Sequence, residues 1–221
     1  MNEVLFGIAG KAGSGKDTVA RIIDNKLKNS VFNNNAIIHY ADNLKNILSL
    51  LYGIPIETFY SHRKDEIFID LRTNKIIDDN ELGTYRELKV NGLYSLKPYI
   101  DSPISWRISI RRLMQFFGTD VCRRYLGDDI WINSTINRAI HSIKDNGYCI
   151  IADVRFDNEA KAIKAIPYGV TIEVKRDTDI SYKHPSEDID FECDYVIDNN
   201  GTLEELEAKV ETLLEKIYAK S

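Results

Sequence analysis

The chain has 221 residues, of which 43% are hydrophobic and 29% are charged, and its formal net charge at pH 7 is −5. These values are typical of a globular protein with one core and room for a mobile subdomain. The negative charge argues against a general nucleic-acid-binding surface, and no stretch is long and apolar enough to span a membrane. Three scattered cysteines without zinc-site spacing predict reduced thiols in a cytoplasmic protein.

The first element is an apolar run at residues 4–10, which enters a glycine-rich turn and then a helical pattern that begins at Lys16. This strand–loop–helix setting fits the phosphate-binding pattern G-x-x-x-x-G-K, with Gly10 first. The N–H groups of such a loop and the positive end of the helix dipole form a concave anion site. The predicted nucleotide-binding residues are Gly10, Lys11, Ala12, Gly13, Ser14, Gly15, Lys16, Asp17 and Thr18.

The residue after the lysine departs from this pattern. The position that usually carries a Ser or Thr hydroxyl for Mg²⁺ holds Asp17, and Thr18 comes one residue later. A carboxylate is also a hard oxygen ligand for Mg²⁺. The sequence therefore predicts a metal site at Asp17 and leaves Thr18 open as the ligand.

Apolar runs and helical periodicities alternate along the rest of the chain. Further strands are predicted at 36–40, 148–152, 170–174 and 195–198, and helices at 16–28, 44–51, 105–117, 120–126, 131–143, 159–166 and 203–218. This alternation predicts a three-layer α/β/α fold with a five-stranded parallel sheet. Ligands bind at the carboxyl ends of such strands, so the residues that follow each strand are site candidates.

Apolar faces and helix ends add three expectations. The helix at 44–51 places Leu44, Ile47, Leu48 and Leu51 on one buried face. The helix at 203–218 places Leu203, Leu206, Val210, Leu213, Leu214 and Ile217 inward. The helix at 105–117 is predicted to end at Gly118.

Residues 63–105 carry many charges between short apolar stretches at 67–69, 75–77 and 88–93, with a hairpin signal at Asn91-Gly92. We interpret them as an insertion into a single domain of residues 1–221. The predicted core comprises about 1–62 and 127–221, the acceptor-binding region about 63–126, and a lid about 176–190. The insertion is predicted to form part of an acceptor site or a homodimer contact, and the sequence leaves both open.

Two pairs of arginines follow the insertion and lie near polar and aromatic residues. The set comprises Arg111, Arg112, Arg123 and Arg124, beside Gln115, Thr119 and Trp131. Arginine is suited to bidentate phosphate contact, so we predict that at least one member of each pair binds a phosphate. The alternative is a solvated helix surface.

Two aspartates follow predicted strands. Asp153 ends the strand at 148–152 and is predicted to organise Mg²⁺ through water, or to cap the next helix, with Arg155 two residues on. Asp42 either faces the same sheet edge or is the N-cap of the helix at 44–51. His184 is either a solvated loop residue or part of the lid.

Several segments in one order resemble the phage-type deoxynucleoside monophosphate kinases. They are the loop at 10–18, Tyr40-Ala41-Asp42-Asn43-Leu44-Lys45, Leu113-Met114-Gln115-Phe116-Phe117-Gly118-Thr119-Asp120, Asp129-Ile130-Trp131-Ile132, Ala152-Asp153-Val154-Arg155-Phe156-Asp157-Asn158-Glu159-Ala160 and His184-Pro185-Ser186-Glu187. Residues 195–206 also resemble the C-terminal end of dephospho-CoA kinases. Both groups share the P-loop kinase fold.

The resemblance implies an ATP- and Mg²⁺-dependent kinase that converts deoxynucleoside monophosphates to diphosphates, in the host cytoplasm if the chain is phage-encoded. It implies catalytic roles for Lys16, Arg155, Asp42 and Arg123, and metal contacts at Asp17 and Asp153. It implies acceptor binding by Asp42, Arg111, Arg112, Gln115, Arg123, Trp131, Asp153 and Arg155. It implies a lid with Arg176, Lys183, His184 and Glu187, and places Asn199 near the donor adenine.

Two alternatives remain open. One is a kinase for another small acceptor, such as dephospho-CoA. The other is a switch or motor module that hydrolyses ATP or GTP. A GTPase would carry the guanine-reading pattern N-K-x-D, and the stretch Asn74-Lys75-Ile76-Ile77 lacks its final Asp. The residues do not fix which bases are accepted.

Overall fold

The computed structural model describes residues 3–28, 36–61, 63–71, 73–77, 86–87, 106–177 and 189–220. The chain forms two compact units. Unit 1 comprises Met1–Tyr40 and Ile132–Ser221, and unit 2 comprises Ala41–Trp131. Unit 2 therefore interrupts the sequence of unit 1.

The described strands and helices follow in chain order. The strands are β1 Val4–Gly10, β2 Ile37–Ile38, β3 Phe68–Asp70, β4 Arg86–Glu87, β5 Trp106–Ser109, β6 Tyr148–Val154, β7 Gly169–Lys175 and β8 Tyr195–Asp198. The helices are α1 Lys16–Leu27, α2 Asp42–Tyr52, α3 Ile56–Tyr60, α4 Ile110–Gln115, a π-helical segment Phe116–Arg123, α5 Arg124–Leu126, α6 Ile130–Asn146, α7 Asp157–Lys164 and α8 Leu203–Lys220.

Unit 1 contains a five-stranded sheet in the order β2-β6-β1-β7-β8, and every neighbouring pair is parallel. This confirms the predicted parallel sheet. Strand β1 is central, and its residues 4–9 are buried, as expected for a strand covered on both faces. Helices α1 and α8 contribute to the core on one face, and α6 and α7 contribute to the core on the other.

Helix α8 confirms five of its six predicted inward residues, because Leu206, Val210, Leu213, Leu214 and Ile217 are all buried. The prediction for Leu203 was wrong: this side chain is 53% exposed. Leu203 is the first residue of α8, one turn before the buried stripe begins.

Unit 2 contains a three-stranded sheet in the order β3-β5-β4. Strand β5 runs antiparallel to β3, and Ile69 lies opposite Ile108. The helix predicted over 105–117 was therefore wrong in its first part, where β5 lies. The following helix α4 begins only after Ser109, whose hydroxyl accepts a hydrogen bond from the Arg112 N–H as an N-cap.

Gly118 does not end the helix, contrary to the prediction. It lies inside the π-helical segment and is buried. A Cβ atom at Gly118 would lie 2.9 Å from the Leu44 Cδ2 methyl, and its carbonyl accepts a 2.9 Å hydrogen bond from Trp131 Nε1. The glycine therefore serves close packing in the core of unit 2 rather than helix termination.

The predicted face of α2 was partly wrong. Leu44 and Leu48 are buried, but Ile47 is 42% and Leu51 is 57% exposed. Instead, Asp42 and Lys45 lie on the buried side of the helix. Two charged residues outside the predicted apolar face are thus buried, whereas two residues of that face are exposed.

Other bounds differ by a few residues. Strand β2 covers only Ile37–Ile38 of the predicted 36–40, and 75–77 contributes a single bridge from Ile76 to Ile69. The predicted strand at 88–93 and its hairpin signal lie outside the described residues. Among the residues that are described, no helix is long and apolar enough to cross a membrane.

Candidate functional site

The predicted phosphate-binding loop runs from Gly10, the last residue of β1, to Lys16, the first residue of α1, and we call it the phosphate loop. Gly13 and Gly15 have φ values of 77° and 94°, in the left-handed region that favours glycine. The Ser14 N–H donates to the Lys11 carbonyl at 3.1 Å, and the Val19 N–H donates to the Gly15 carbonyl at 2.9 Å. The loop thus closes a tight turn at the N-terminus of the 12-residue helix α1.

Packing also requires a glycine at the start of this loop. A Cβ atom at Gly10 would lie 2.9 Å from the Val174 carbonyl oxygen and would overlap the Ser14 hydroxyl. The hydroxyl itself is buried beneath the loop. Lys16 is half-buried as the first residue of α1, where its side chain can reach an anion held by the loop.

Asn199 is the buried polar residue that meets the loop. It follows β8, and its N–H donates to the Lys175 carbonyl at 2.7 Å. Its side-chain Nδ2 donates to the Ser14 carbonyl at 2.7 Å. The contact is with the loop's main chain; the predicted place near an adenine stays a prediction.

Three oxygen-bearing residues are candidates for Mg²⁺. Asp17 is exposed and Thr18 half-buried in the first turn of α1, and Asp153 is half-buried in β6. Val154 pairs with Ala9, so Asp153 lies at the sheet edge from which the loop departs. Magnesium commonly uses one or two carboxylates together with substrate phosphates, and this donor set fits that chemistry. The described residues contain no group of three His, Cys, Asp or Glu able to hold a metal alone.

Asp153 lies within β6 and not after it, and the alternative that it caps the next helix was wrong. The residue before α7 is Phe156, and Asp153 Oδ1 instead accepts the Tyr40 N–H at 3.0 Å. This bond ties the chain that follows β2 to the end of β6. Its predicted roles in metal and acceptor binding stay predictions.

Glu159 supports the turn that carries Arg155, and sequence reasoning did not single it out. It is buried, and its Oε2 accepts the Arg155 N–H at 2.8 Å and the Phe156 N–H at 3.2 Å. These bonds fix the turn after β6 and leave the Arg155 side chain exposed. The available signal was a glutamate in the first turn of a helix, the position that reaches back to the preceding N–H groups.

In unit 2, Asp42 is the first residue of α2, and the alternative that its side chain is the N-cap was wrong. Ala41 occupies the cap position. The Asp42 Oδ1 accepts a 2.7 Å hydrogen bond from the Tyr60 hydroxyl and lies 3.7 Å from Lys45 Nζ. Lys45 Nζ also lies 3.7 Å from the centre of the Tyr60 ring.

Two further cations of unit 2, Lys64 in the turn at 63–66 and Arg111 of α4, are in contact through the main chain. The Arg111 N–H donates to the Lys64 carbonyl at 3.1 Å, and Arg111 Nε lies 2.7 Å from Asp65 Oδ2. Burial lowers the pKa of Lys64, and the positive charges of Lys45 and Arg111 lower it further. Lys45 and Arg111 thus both act electrostatically on Lys64, and we call these three residues the cation cluster.

Sequence reasoning found Arg111 but missed Lys45 and Lys64. No spacing rule connects them, because one lies on α2 and the other in a turn. Tertiary packing alone brings them together.

The remaining predicted residues have varied surroundings. Arg112 donates to Gln115 Oε1 at 3.4 Å, and both side chains are exposed. Arg123 is half-buried at the end of the π-helical segment, Arg124 is exposed, and Trp131 is buried. The roles of all of them stay predictions. Of the lid residues, Arg176 is exposed, whereas Lys183, His184 and Glu187 lie outside the described residues.

Comparison with known proteins gives one family match. The model of the family described as deoxynucleotide monophosphate kinase matches residues 56–210. A deoxynucleotide monophosphate kinase of Escherichia phage RB69 is 33% identical over 136 residues, which cover 60% of this chain and 55% of that protein. A deoxynucleoside-5'-monophosphate kinase of Escherichia phage T5 is 27% identical over 192 residues, covering 73% and 72%. A uridine kinase of Clostridium botulinum (strain Langeland) is 30% identical over 169 residues, covering 62% and 80%.

Proposed function

The chain belongs to the deoxynucleotide monophosphate kinase family, and on that premise we propose that it transfers the γ-phosphoryl group of ATP to a deoxynucleoside monophosphate. The products are the corresponding diphosphate and ADP. The observation that carries the proposal is the phosphate loop at the carboxyl end of the central strand β1. There the left-handed Gly13 and Gly15 and the start of α1 form an anion-binding turn.

The donor side of the reaction uses unit 1. The N–H groups of residues 10–18 and the half-buried Lys16 hold the β- and γ-phosphates of ATP. Asp153 and either Asp17 or Thr18 would hold Mg²⁺ together with the phosphates, and the bound ion would supply positive charge beside the transferring group. Arg155, exposed after β6, is proposed to stabilise charge that spreads over the phosphoryl group in the transition state.

The acceptor side uses the predicted residues of unit 2. We propose that Arg111, Arg112 and Arg123 bind the acceptor phosphate, because guanidinium groups make paired hydrogen bonds to phosphate oxygens. Asp42 orients the acceptor, and Gln115 and Trp131 contribute to its pocket. Asp153 and Arg155 are also proposed to contact the acceptor; most of the predicted lid at 176–190 lies outside the described residues.

The acceptor class has a competing candidate. Relatives named uridine kinase match about as much of the chain as the RB69 kinase does. Uridine lacks the phosphate that the arginines of unit 2 are proposed to bind, so a nucleoside acceptor would leave these arginines without a role. The family match favours the monophosphate.

The test is a coupled assay of ADP formation from Mg-ATP. The acceptors are dAMP, dGMP, dCMP and dTMP, the four ribonucleoside monophosphates, uridine, dephospho-CoA, and buffer alone. ADP that appears only with deoxynucleotides supports the proposal and gives the range of bases. Activity restricted to uridine or dephospho-CoA would replace the substrate, and equal ADP formation in buffer alone would replace the kinase by a hydrolase.

We also propose that the protein acts in the cytoplasm of a phage host, in keeping with the phage origin of two relatives. A homodimer is the second part of this proposal, and light scattering of the purified chain tests it. A single monomeric mass at assay concentration would exclude the dimer.

A further inference from the structure

The main chain of Asn199 is fixed by a hydrogen bond of its own, separate from the contact between its side chain and the phosphate loop. Its N–H donates to the carbonyl of Lys175, the last residue of β7, and the side chain is only 7% exposed. A buried amide on a fixed main chain loses little further freedom when it makes a hydrogen bond. The 2.7 Å bond from Nδ2 to the Ser14 carbonyl is therefore a fixed support for the loop.

The same amide group also meets the next residue of the loop. A Cβ atom at Gly15 would overlap Asn199 Nδ2, so the nitrogen fills the space beside Gly15 that a side chain would need. Gly15 has a φ of 94°, which a residue with a side chain adopts only with strain. Asn199 thus contacts both residues that share the Ser14–Gly15 peptide group.

The geometry of a peptide group converts this contact into an orientation. In a trans peptide, the carbonyl and the N–H point in opposite directions. Because Asn199 holds the Ser14 carbonyl on one side, the Gly15 N–H is directed to the other side. The chain contains no cis peptide bond among its described residues. The direction of one of the loop's N–H donors is therefore set by a residue 185 positions away.

We propose that Asn199 is a positioning residue that orients the Ser14–Gly15 peptide for anion binding, and that it sets affinity for the phosphate chain of the nucleotide and not for its base. This rests on the proposed function only in taking ATP as the ligand. The expectation that Asn199 lies near the adenine stays a prediction, and the role proposed here acts through the loop.

Inorganic tripolyphosphate separates the two roles, because it has the phosphate chain of ATP without base or ribose. Isothermal titration calorimetry would compare the wild type with Asn199→Ala for Mg-ATP and for tripolyphosphate. We expect both dissociation constants to rise by the same factor, about tenfold, the loss typical of one well-formed hydrogen bond. A rise for Mg-ATP alone would show a contact with adenosine and overturn the proposal.

Asn199→Asp sharpens the test because it keeps the shape of the side chain. It replaces the donor Nδ2 by an acceptor oxygen that faces the Ser14 carbonyl, so we expect weaker binding of both ligands than in Asn199→Ala. If Asn199→Asp bound Mg-ATP and tripolyphosphate as tightly as the wild type does, a hydrogen-bonding role of Asn199 would be contradicted.

Asn146→Ala is the matched control. Its side-chain amide donates to Ser142 Oγ at 3.2 Å at the end of α6. Asn146 precedes the first residue of β6, whereas the phosphate loop follows the last residue of β1. We expect its dissociation constants to equal those of the wild type. If Asn199→Ala lowers the melting temperature but leaves both dissociation constants unchanged, Asn199 is merely structural and the proposal fails.

The binding test does not depend on an acceptor. Wild-type protein that binds no tripolyphosphate would overturn this inference. Wild-type protein that binds Mg-ATP but forms no ADP with any acceptor would overturn only the proposed function.

Discussion

The phosphate loop of unit 1 and the cation cluster of unit 2 present positive potential by different means. The loop uses main-chain N–H groups whose directions are fixed by left-handed glycines and by one buried amide. The cluster uses side chains from α2, a turn and α4, and two of its three cations lie beside carboxylates: Lys45 beside Asp42, and Arg111 beside Asp65. The loop is preorganised, whereas an anion at the cluster competes with carboxylates already in place.

An anion can thus be bound either by main-chain N–H groups in fixed directions or by side-chain cations that must first leave their carboxylate partners. A fixed N–H dipole costs no reorganisation when charge develops, which is the condition under which electrostatic stabilisation is most effective. Flexible cations adapt to acceptors of different shape, but they lose side-chain entropy on binding. Substitutions in the two regions test this contrast.

Replacing the loop's cation should have the largest effect on catalysis. Lys16→Met removes a positioned positive charge and should raise the barrier by about 3 kcal/mol, roughly a hundredfold to a thousandfold in kcat. Steady-state kinetics with saturating acceptor measures this. Lys28→Met, at an exposed position after α1, is the control and should retain wild-type kcat. A loss under tenfold for Lys16→Met would mean that the main chain alone stabilises the transferring group.

Within unit 2, the buried and exposed cations should differ in their effect on folding. Lys45→Met removes the ammonium group that lies 3.7 Å from the buried Asp42 carboxylate, and should lower the free energy of unfolding by roughly 2–3 kcal/mol. Arg111→Met breaks a pair in which both side chains are at least half exposed, and should change stability by roughly 0–1 kcal/mol. Urea denaturation measures both. Equal losses would remove the distinction between the two cations.

A pair of glycines tests the loop's backbone. Gly15→Ala and Gly147→Ala both place a side chain at positive φ, at 94° and 80°. Gly147→Ala should lower the free energy of unfolding by about 1–2 kcal/mol, and Gly15→Ala by more, because its Cβ atom also overlaps Asn199 Nδ2. Only Gly15→Ala should weaken ATP binding, because Gly15 lies in the phosphate loop, whereas Gly147 lies in the turn before β6. Unchanged ATP affinity in Gly15→Ala would show that the loop tolerates displacement of the Asn199 amide.

The pH dependence of stability compares the two cores. Burial raises the pKa of Cys149 in β6 from 9.0 to about 12. The folded state then holds the thiol proton more tightly than the unfolded state, so this contribution is intact below pH 9 and is lost as pH rises towards 12. Between pH 8 and 10 the wild type should lose about 1 kcal/mol more than Cys149→Ala.

Cys122→Ala is the counterpart in unit 2. Burial raises the pKa of Cys122 as well, but its side chain is 5% exposed whereas that of Cys149 is fully buried. We therefore expect a smaller change of slope for Cys122→Ala in the same urea titrations. A larger change for Cys122→Ala would reverse the expected order of desolvation.

The sequence predicted unit 1 well because its signals are local. A buried parallel strand is a continuous apolar run, and the glycine spacing at 10–16 specifies its turn without reference to the rest of the chain. The contact of Asn199 with Ser14 could not be predicted, because the two residues are 185 positions apart and nothing in either segment indicates the pairing. The same holds for the bond from Tyr40 to Asp153.

Unit 2 was predicted less well because tertiary packing overrides the local helix signals and hydrophobic patterns of its sequence. Residues 105–117 contain good helix formers, but Ile108 pairs opposite Ile69 in a sheet and Ser109 caps a shorter helix. On α2, the paired Asp42 and Lys45 are buried while Ile47 and Leu51 remain exposed. Hydrophobic periodicity cannot anticipate a buried ion pair, because it assigns every charged residue to the surface.

The strand order of unit 1 has a consequence for biosynthesis. The central strand β1 is synthesised before the other strands, but its two neighbours in the sheet are β6 and β7. Val4 therefore cannot pair until Tyr148 has been synthesised, and Leu5 cannot pair with β7 until Gly169 has been. The three-stranded sheet of unit 2 closes within Phe68–Ser109 and is complete well before then. During translation unit 2 can therefore fold while β1 is still unpaired, and the loop that follows β1 is among the last of the described features to form.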